Sequence, residues 1–217
     1  MNHKIYVFFA FILMFFGINI IYSKTLPLKN KIIVIDPGHG GIDKGANYYS
    51  YYESNLVLNI SKTLKKELEK KGALVYLTRN GNYDLSNPGA RRRKKSDFDN
   101  RISYIKNINP DVVLSIHLNA SRNENYNGMQ LFYKNSEKLS KILYKELNIR
   151  RKIVKRTDIY LLNNINCETV LIEWGFISNY SDLLKIKNEK EIKKTSNLIA
   201  IGLSKFLTWQ ICILIVY

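Results

Sequence analysis

The sequence predicts a single α/β domain, a mostly parallel mixed sheet with helices on both faces. Three observations carry that expectation. Short, continuous apolar runs rich in β-branched residues alternate with longer segments of helical period. Glycine, proline and asparagine punctuate the joins between them. Three of the apolar runs end in, or just before, an ionisable side chain, where open α/β sheets gather their ligands.

Taken in order, the chain of 217 residues begins with His3 and Lys4 ahead of an uncharged run from Ile5 to Tyr22, closed by Lys24. As a helix this run would be about 27 Å long, enough to cross a membrane core. Residues 1–23 therefore read as a signal sequence or N-terminal membrane anchor, with membrane contact through residues 5–22 and export across the cytoplasmic membrane. Ile21-Tyr22-Ser23 departs from the small-x-small cleavage pattern, so removal of the segment is left open. Residues 24–30, with Pro27, form a linker.

The domain is expected over residues 31–207. Lys31 to Asp36 makes a first buried strand, ended by Pro37-Gly38-His39-Gly40-Gly41, where the backbone must turn tightly or approach something closely. The following stretch to Tyr52 reads as loop. From Glu53 the period becomes helical, with Leu56, Ile60, Leu64 and Leu68 recurring every four residues until Gly72. Ala73–Thr78 is a second strand, and polar, basic Asn80–Lys95 a surface loop. Asp97–Ile108 suits a helix with Phe98, Ile102 and Ile105 inward. Asp111–His117 is a third buried strand and Met129–Tyr133 a fourth. Ser136–Leu147 is helical, Asp158–Leu162 a further short strand, and Thr169–Glu173 another apolar strand. After a loop from Trp174 to Tyr180, helices run over Ser181–Ile186 and Lys190–Leu207. The apolar tail, residues 208–217, extends the last helix and has no assigned role.

Thirty-four basic and 18 acidic residues leave a formal charge of +16, a field that favours polyanions such as an acidic wall polymer or an anionic membrane. The clusters Arg91–Lys95 and Arg150–Arg156 lack interleaved base-stacking aromatics, and no nucleic-acid module is present, so nucleic acid is not an expected partner. Cys167 and Cys212 show no metal or redox spacing and read as unpaired thiols.

Only three histidines occur, and His3 belongs to the export segment. The other two, His39 and His117, lie at strand ends, as does Glu173, so adjacent parallel strands would bring all three to one crevice. Two imidazoles and a carboxylate are a common ligand set for catalytic zinc. Glu53 is the candidate carboxylate, since it opens the helix after the His39 loop. Taken singly, each residue has a bland explanation: Glu53 offsets the helix dipole, Glu173 pairs with an arginine, and a lone strand-end histidine is structural. Asn119 reads as a turn residue rather than one that orients substrate.

At these residues the sequence resembles the zinc-dependent N-acetylmuramoyl-L-alanine amidases of the amidase-3 type. The matching segments are Ile33–Gly41, Glu53 with its helix, Leu114–Ala120 and Val170–Asn179, spread across nearly the whole domain. The resemblance implies that His39, Glu53 and His117 bind Zn2+ and that Glu173 is the catalytic carboxylate. The bond cut would join N-acetylmuramic acid to L-alanine in peptidoglycan. Leu74–Arg79, Arg91–Lys95 with Asp99-Asn100-Arg101, and Tyr160–Leu162 resemble the germination-specific, spore-cortex branch. That branch implies a partner deacetylase, muramic-δ-lactam as the end product, and a location in the cell wall or spore cortex. Tyr48–Tyr52 departs from the family pattern in being unusually aromatic. Two other readings stay open: a zinc-dependent stem-peptide peptidase or sugar deacetylase, and a non-catalytic wall-binding protein.

Overall fold

The computed structural model describes residues 26–216, with side chains through residue 208. The expected export segment, residues 5–22, and the Cys212 side chain lie outside the described residues. Among the described residues, no helix is long and apolar enough to cross a membrane.

Six strands form the main sheet: β1 (Ile32–Pro37), β4 (Leu74–Leu77), β5 (Val112–Asn119), β6 (Gln130–Tyr133), β7 (Val154–Lys155) and β8 (Glu168–Phe176). Their spatial order is β4-β1-β5-β8-β6-β7. The neighbours β4, β1, β5 and β8 are parallel, and only the β6–β8 pair is antiparallel. The mixed, mostly parallel sheet expected from the sequence is therefore the observed one.

Residue alternation along each strand builds two separate cores. Ile33, Ile35, Val112, Leu114 and Ile116 face the larger one. It is covered by α1 (Glu53–Glu69), α3 (Glu137–Glu146), α5 (Tyr180–Lys187) and α6 (Glu189–Val216), which contribute Ile60, Leu64, Leu143, Leu183, Ile199 and Leu203. Val34 and Val113 face the other way, onto Ile102 and Ile105 of α2 (Arg93–Ile108) and Leu161 of α4 (Tyr160–Asn164). The last helix continues unbroken to Val216, as the apolar tail suggested.

Three elements differ from expectation. Residues 158–162 were read as a strand, but Tyr160–Asn164 is a single helical turn and a half. Leu161 and Leu162 are both buried there, and so short an apolar pair carries no period that separates strand from helix. Helix α2 begins at Arg93, four residues before Asp97, because the basic stretch supplies its first turn. The stretch read as loop before Glu53 contains a hairpin, β2 (Asn47–Tyr48) paired with β3 (Tyr51–Tyr52).

Candidate active site

Strand β1 ends at Pro37, and the Gly38 N–H extends its ladder onto Ile116 of β5 (2.9 Å). His39 follows in the left-handed region at φ 60°, a conformation that costs a non-glycine residue and persists only where surroundings fix it. Two buried guanidiniums do the fixing. Arg79, at the end of β4, donates to the carbonyls of Pro37 (3.0 Å), Gly38 (2.7 Å) and Ser54 (2.8 Å). Arg101, on the inward face of α2, donates to the Pro37 carbonyl (2.7 Å) and to that of His39. Three consecutive loop carbonyls are thus held from below.

Arg101 is itself neutralised by Asp36 (2.7 Å) and Asp97 (2.9 Å). Burial pushes the Asp36 carboxyl upward. The Arg101 charge and hydrogen bonds from Thr78 and Arg101 outweigh burial and leave it below the usual carboxylate value. Burial, with repulsion from Arg101, lowers Arg79 to about 10.

The fixed loop aims His39 at Glu53, the first residue of α1, with Nε2 at 3.2 Å from Oε1. His117 reaches the same oxygen through Nδ1 at 3.1 Å. The two imidazoles stand edge to face, centroids 5.0 Å apart. Two glycines make room for this crowding. A Cβ on Gly38 would lie 2.2 Å from the His117 ring, and one on Gly45 would lie 2.6 Å from Glu53 Oε2.

Glu53 is fully placed by backbone. Its Oε1 accepts from the Leu118 N–H (3.0 Å) and its Oε2 from the Ala46 N–H (2.9 Å). Burial raises the Glu53 pKa, but hydrogen bonds from His117 and His39 overcome that and hold the carboxyl far below its usual range. His39 moves the opposite way: burial disfavours its charge, and Glu53 and Asp43 more than restore it. His39 Nδ1 lies 3.0 Å from Asp43 Oδ2, an ion-pair distance without hydrogen-bond alignment.

Glu173 sits in β8 in direct register with His117 of β5. By strand alternation His117 continues the row of Val113 and Ser115, and Glu173 falls beside it on the same side of the sheet. Its Oε2 is shielded from solvent and has no hydrogen-bond partner. Burial pushes this carboxyl up to about 7, with the His117 charge opposing. The strand after it is pinned by Asp182, whose Oδ2 accepts from the Phe176 N–H (2.9 Å) and the Gly128 N–H (2.7 Å).

The four sequence-derived candidates therefore lie together at one rim, where the strand adjacency that the argument required is met. His39, Glu53 and His117 offer ligand atoms all within 4.8 Å of one another, a group that could hold a metal ion. The donor set fits zinc chemically: two nitrogens, one carboxylate oxygen, and a buried acid beside them. Asn119 takes the turn role, its Oδ1 accepting from the Ala120 N–H (2.9 Å). A cavity of about 260 Å³ opens beside the His39 loop, lined by Ile42, Asp43, Asp84, Arg93, Lys94 and Asp97. Sequence reasoning assigned no positioning role to Arg79 and Arg101. A signal existed for Arg101: with Asp97 it forms an i,i+4 ion pair that falls on the apolar side of its own helix, in line with Ile105.

A parallel α/β domain that presents two imidazoles and two carboxylates at the carboxyl rim defines a class, the metal-dependent hydrolases. Residues 33–205 match the family model described as N-acetylmuramoyl-L-alanine amidase, and the chain belongs to that family. It is 35% identical over 196 residues to the germination-specific N-acetylmuramoyl-L-alanine amidase of Bacillus subtilis, covering 85% of this chain and 83% of that protein. It is 30% identical to the probable cell wall amidase LytH of Staphylococcus epidermidis, covering 84% of this chain but only 60% of that longer protein. Among solved structures it resembles the CwlD amidase of Clostridioides difficile, determined in complex with the GerS lipoprotein. The TM-score is 0.77 at 37% identity, over 82% of this chain and 99% of that one.

Proposed function

We propose that the chain hydrolyses the amide between N-acetylmuramic acid and L-alanine in spore-cortex peptidoglycan, with His39, Glu53 and His117 holding zinc and Glu173 as the proton-transferring carboxylate. One observation carries this reading. Ligand atoms from three distant segments converge within 4.8 Å, and an unpartnered carboxylate stands in register beside one of them.

When bound, the ion supplies a Lewis acid that polarises the amide carbonyl and makes water more acidic. The remaining work belongs to the chain. The Glu173 carboxyl, pushed to about 7 by burial, is poised to accept a proton from water near neutral pH and return it to the leaving L-alanine nitrogen. Glu53 cannot share that task, because its strongly lowered pKa and four contacts commit both of its oxygens to positioning. Asp43 orients the His39 ring from its other nitrogen, as outer carboxylates do for metal-binding histidines.

The cortex assignment rests on similarity to the germination-specific Bacillus subtilis amidase. It places the chain outside the cytoplasmic membrane, with residues 1–23 as the export signal or anchor and a deacetylase acting on its product. The complex of the Clostridioides difficile relative with a lipoprotein supports a protein partner for this chain as well.

The test is digestion of cortex peptidoglycan by the purified protein, with and without zinc, read by mass spectrometry. The expected product is an intact stem peptide with a free L-alanine amine, with sugar acetyl groups retained. Glu173→Ala is expected to lower turnover by about 10²- to 10⁴-fold with metal content preserved, whereas His117→Ala loses zinc by atomic spectroscopy. Cleavage inside the stem peptide, or released acetate, would replace the amidase reading with peptidase or deacetylase chemistry.

A further inference from the structure

Between Ala46 and Glu53 the hairpin carries four tyrosines in five residues, Tyr48-Tyr49-Ser50-Tyr51-Tyr52. A two-residue turn with both central residues at positive φ normally takes glycine or asparagine. Here Tyr49 (φ 44°) and Ser50 (φ 63°) occupy those places. Backbone of this kind clusters at ligand clamps and persists where neighbours over-determine it.

The neighbours are identifiable. The Tyr48 hydroxyl donates to the Glu124 carboxylate in the loop after β5. The Lys187 ammonium, at the end of α5, donates to the Tyr51 hydroxyl and lies 4.0 Å from that ring's centroid. Tyr48 also meets Tyr49 edge to face, centroids 4.4 Å apart. Tyr48 and Tyr51 are therefore anchors, while Tyr49 is 62% exposed and Tyr52 39% exposed.

The base of the hairpin closes on the metal-binding group itself. The Glu53 N–H donates to the Ala46 carbonyl (2.8 Å), and the Ala46 N–H returns to Glu53 Oε2 (2.9 Å). At about 3.3 Å per residue, the tip stands roughly 10 Å from that closing pair.

We propose that Tyr49, with Tyr52 beside it, is a sugar-binding platform that takes the glycan strand flanking the muramic acid whose amide is cut; this rests on the amidase reading. A pyranose ring has an apolar C–H face and a hydrated rim, which suits an exposed tyrosine that offers a flat apolar body and a polar tip. A tyrosine also loses little side-chain freedom on contact. A glycan strand must run past the triad for its amide to reach Glu173, whereas a protein seated on these rings would stand over the triad. The hairpin bears no formal charge of its own, as an uncharged sugar face requires.

The experiment compares KM of the zinc-loaded full chain on peptidoglycan with intact glycan strands and on the single-sugar substrate N-acetylmuramoyl-L-alanyl-D-isoglutamine. Tyr49→Ala is expected to raise the ratio of the polymer KM to the single-sugar KM about tenfold, the worth of one aromatic stacking contact. Tyr49→Trp keeps the ratio, and Tyr76→Ala, an exposed tyrosine on β4 outside the site, leaves it unmoved. Zinc content and far-UV circular dichroism verify that each variant is folded. An unchanged ratio in Tyr49→Ala, or an equal rise on both substrates, overturns the platform. So does a defect seen only in stimulation by an added protein partner. A wild-type chain that frees no L-alanine amine from either substrate overturns the amidase reading, and the platform with it.

Discussion

On one side of the sheet α1, α3, α5 and α6 bury a broad aliphatic layer, with Ile60, Leu64, Leu143, Ile199 and Leu203 fully shielded. On the other side α2 and α4 cover a patch of only six buried residues, and beside it lies charge: Asp36, Asp97, Arg79 and Arg101, all buried. His117 and Glu173 fall on this second side, one and two strands from Asp36. The contrast shows a division of labour. The dry side supplies stability at low risk, because aliphatic packing tolerates modest changes in shape. The charged side gives up that tolerance for direction, since guanidinium groups hold named carbonyls in fixed places.

Breaking the charged side should therefore cost most. Arg101→Ala leaves Asp36 and Asp97 buried without their shared counter-charge, a change worth about 3–5 kcal/mol. It also frees the carbonyls of Pro37 and His39, so zinc affinity should fall with stability. Urea unfolding of the metal-free protein and zinc titration measure the two effects. A variant that lost stability yet bound zinc as the wild type does would separate Arg101 from the loop. Leu64→Ala, on the dry side, removes a fully buried side chain at a cost of about 2–5 kcal/mol. Its effect should stop there, with zinc affinity unchanged in the folded fraction. A matching loss of zinc would erase the proposed division between the sides.

The same contrast explains what the sequence disclosed. Apolar periodicity is a dense signal, and β1, β5, β8 and α1 were legible from it. So was the rim, because only two histidines remain in the domain and both follow buried strands. The elements misread were those where few apolar residues speak. Leu161 and Leu162 fit a strand or a turn of helix equally, and the four-residue hairpin ladder had no alternation to display. Arg79 and Arg101 were invisible as positioning residues for a different reason. A buried arginine is spelled like a surface one, and only the carbonyls it meets, 41 and 42 residues away for Arg79, reveal its work. The roles of His39, Glu53, His117 and Glu173 came from family resemblance, not from their spacing.

The smallest expected effect is a pH dependence confined to the charged side. Asp36 has its folded pKa below the ordinary value of 3.8: burial raises it, and Arg101 and Thr78 lower it by more. A carboxyl depressed on folding contributes stability that is complete above its unfolded pKa and lost as pH falls through its folded one. The gap in stability between wild type and Asp36→Asn should therefore be constant from neutral pH down to about pH 4, then narrow on further acidification. Urea midpoints of the metal-free proteins, measured pairwise across that range, test it. In Arg101→Ala the sign reverses. With its principal counter-charge gone, burial governs Asp36 and raises its pKa, so the acid limb of that variant should begin at higher pH than in wild type. An acid limb at the wild-type position would mean that Thr78 and Ser115, rather than the Arg101 charge, keep Asp36 ionised. The charged side would then be held by hydrogen bonds more than by the ion pair at its centre.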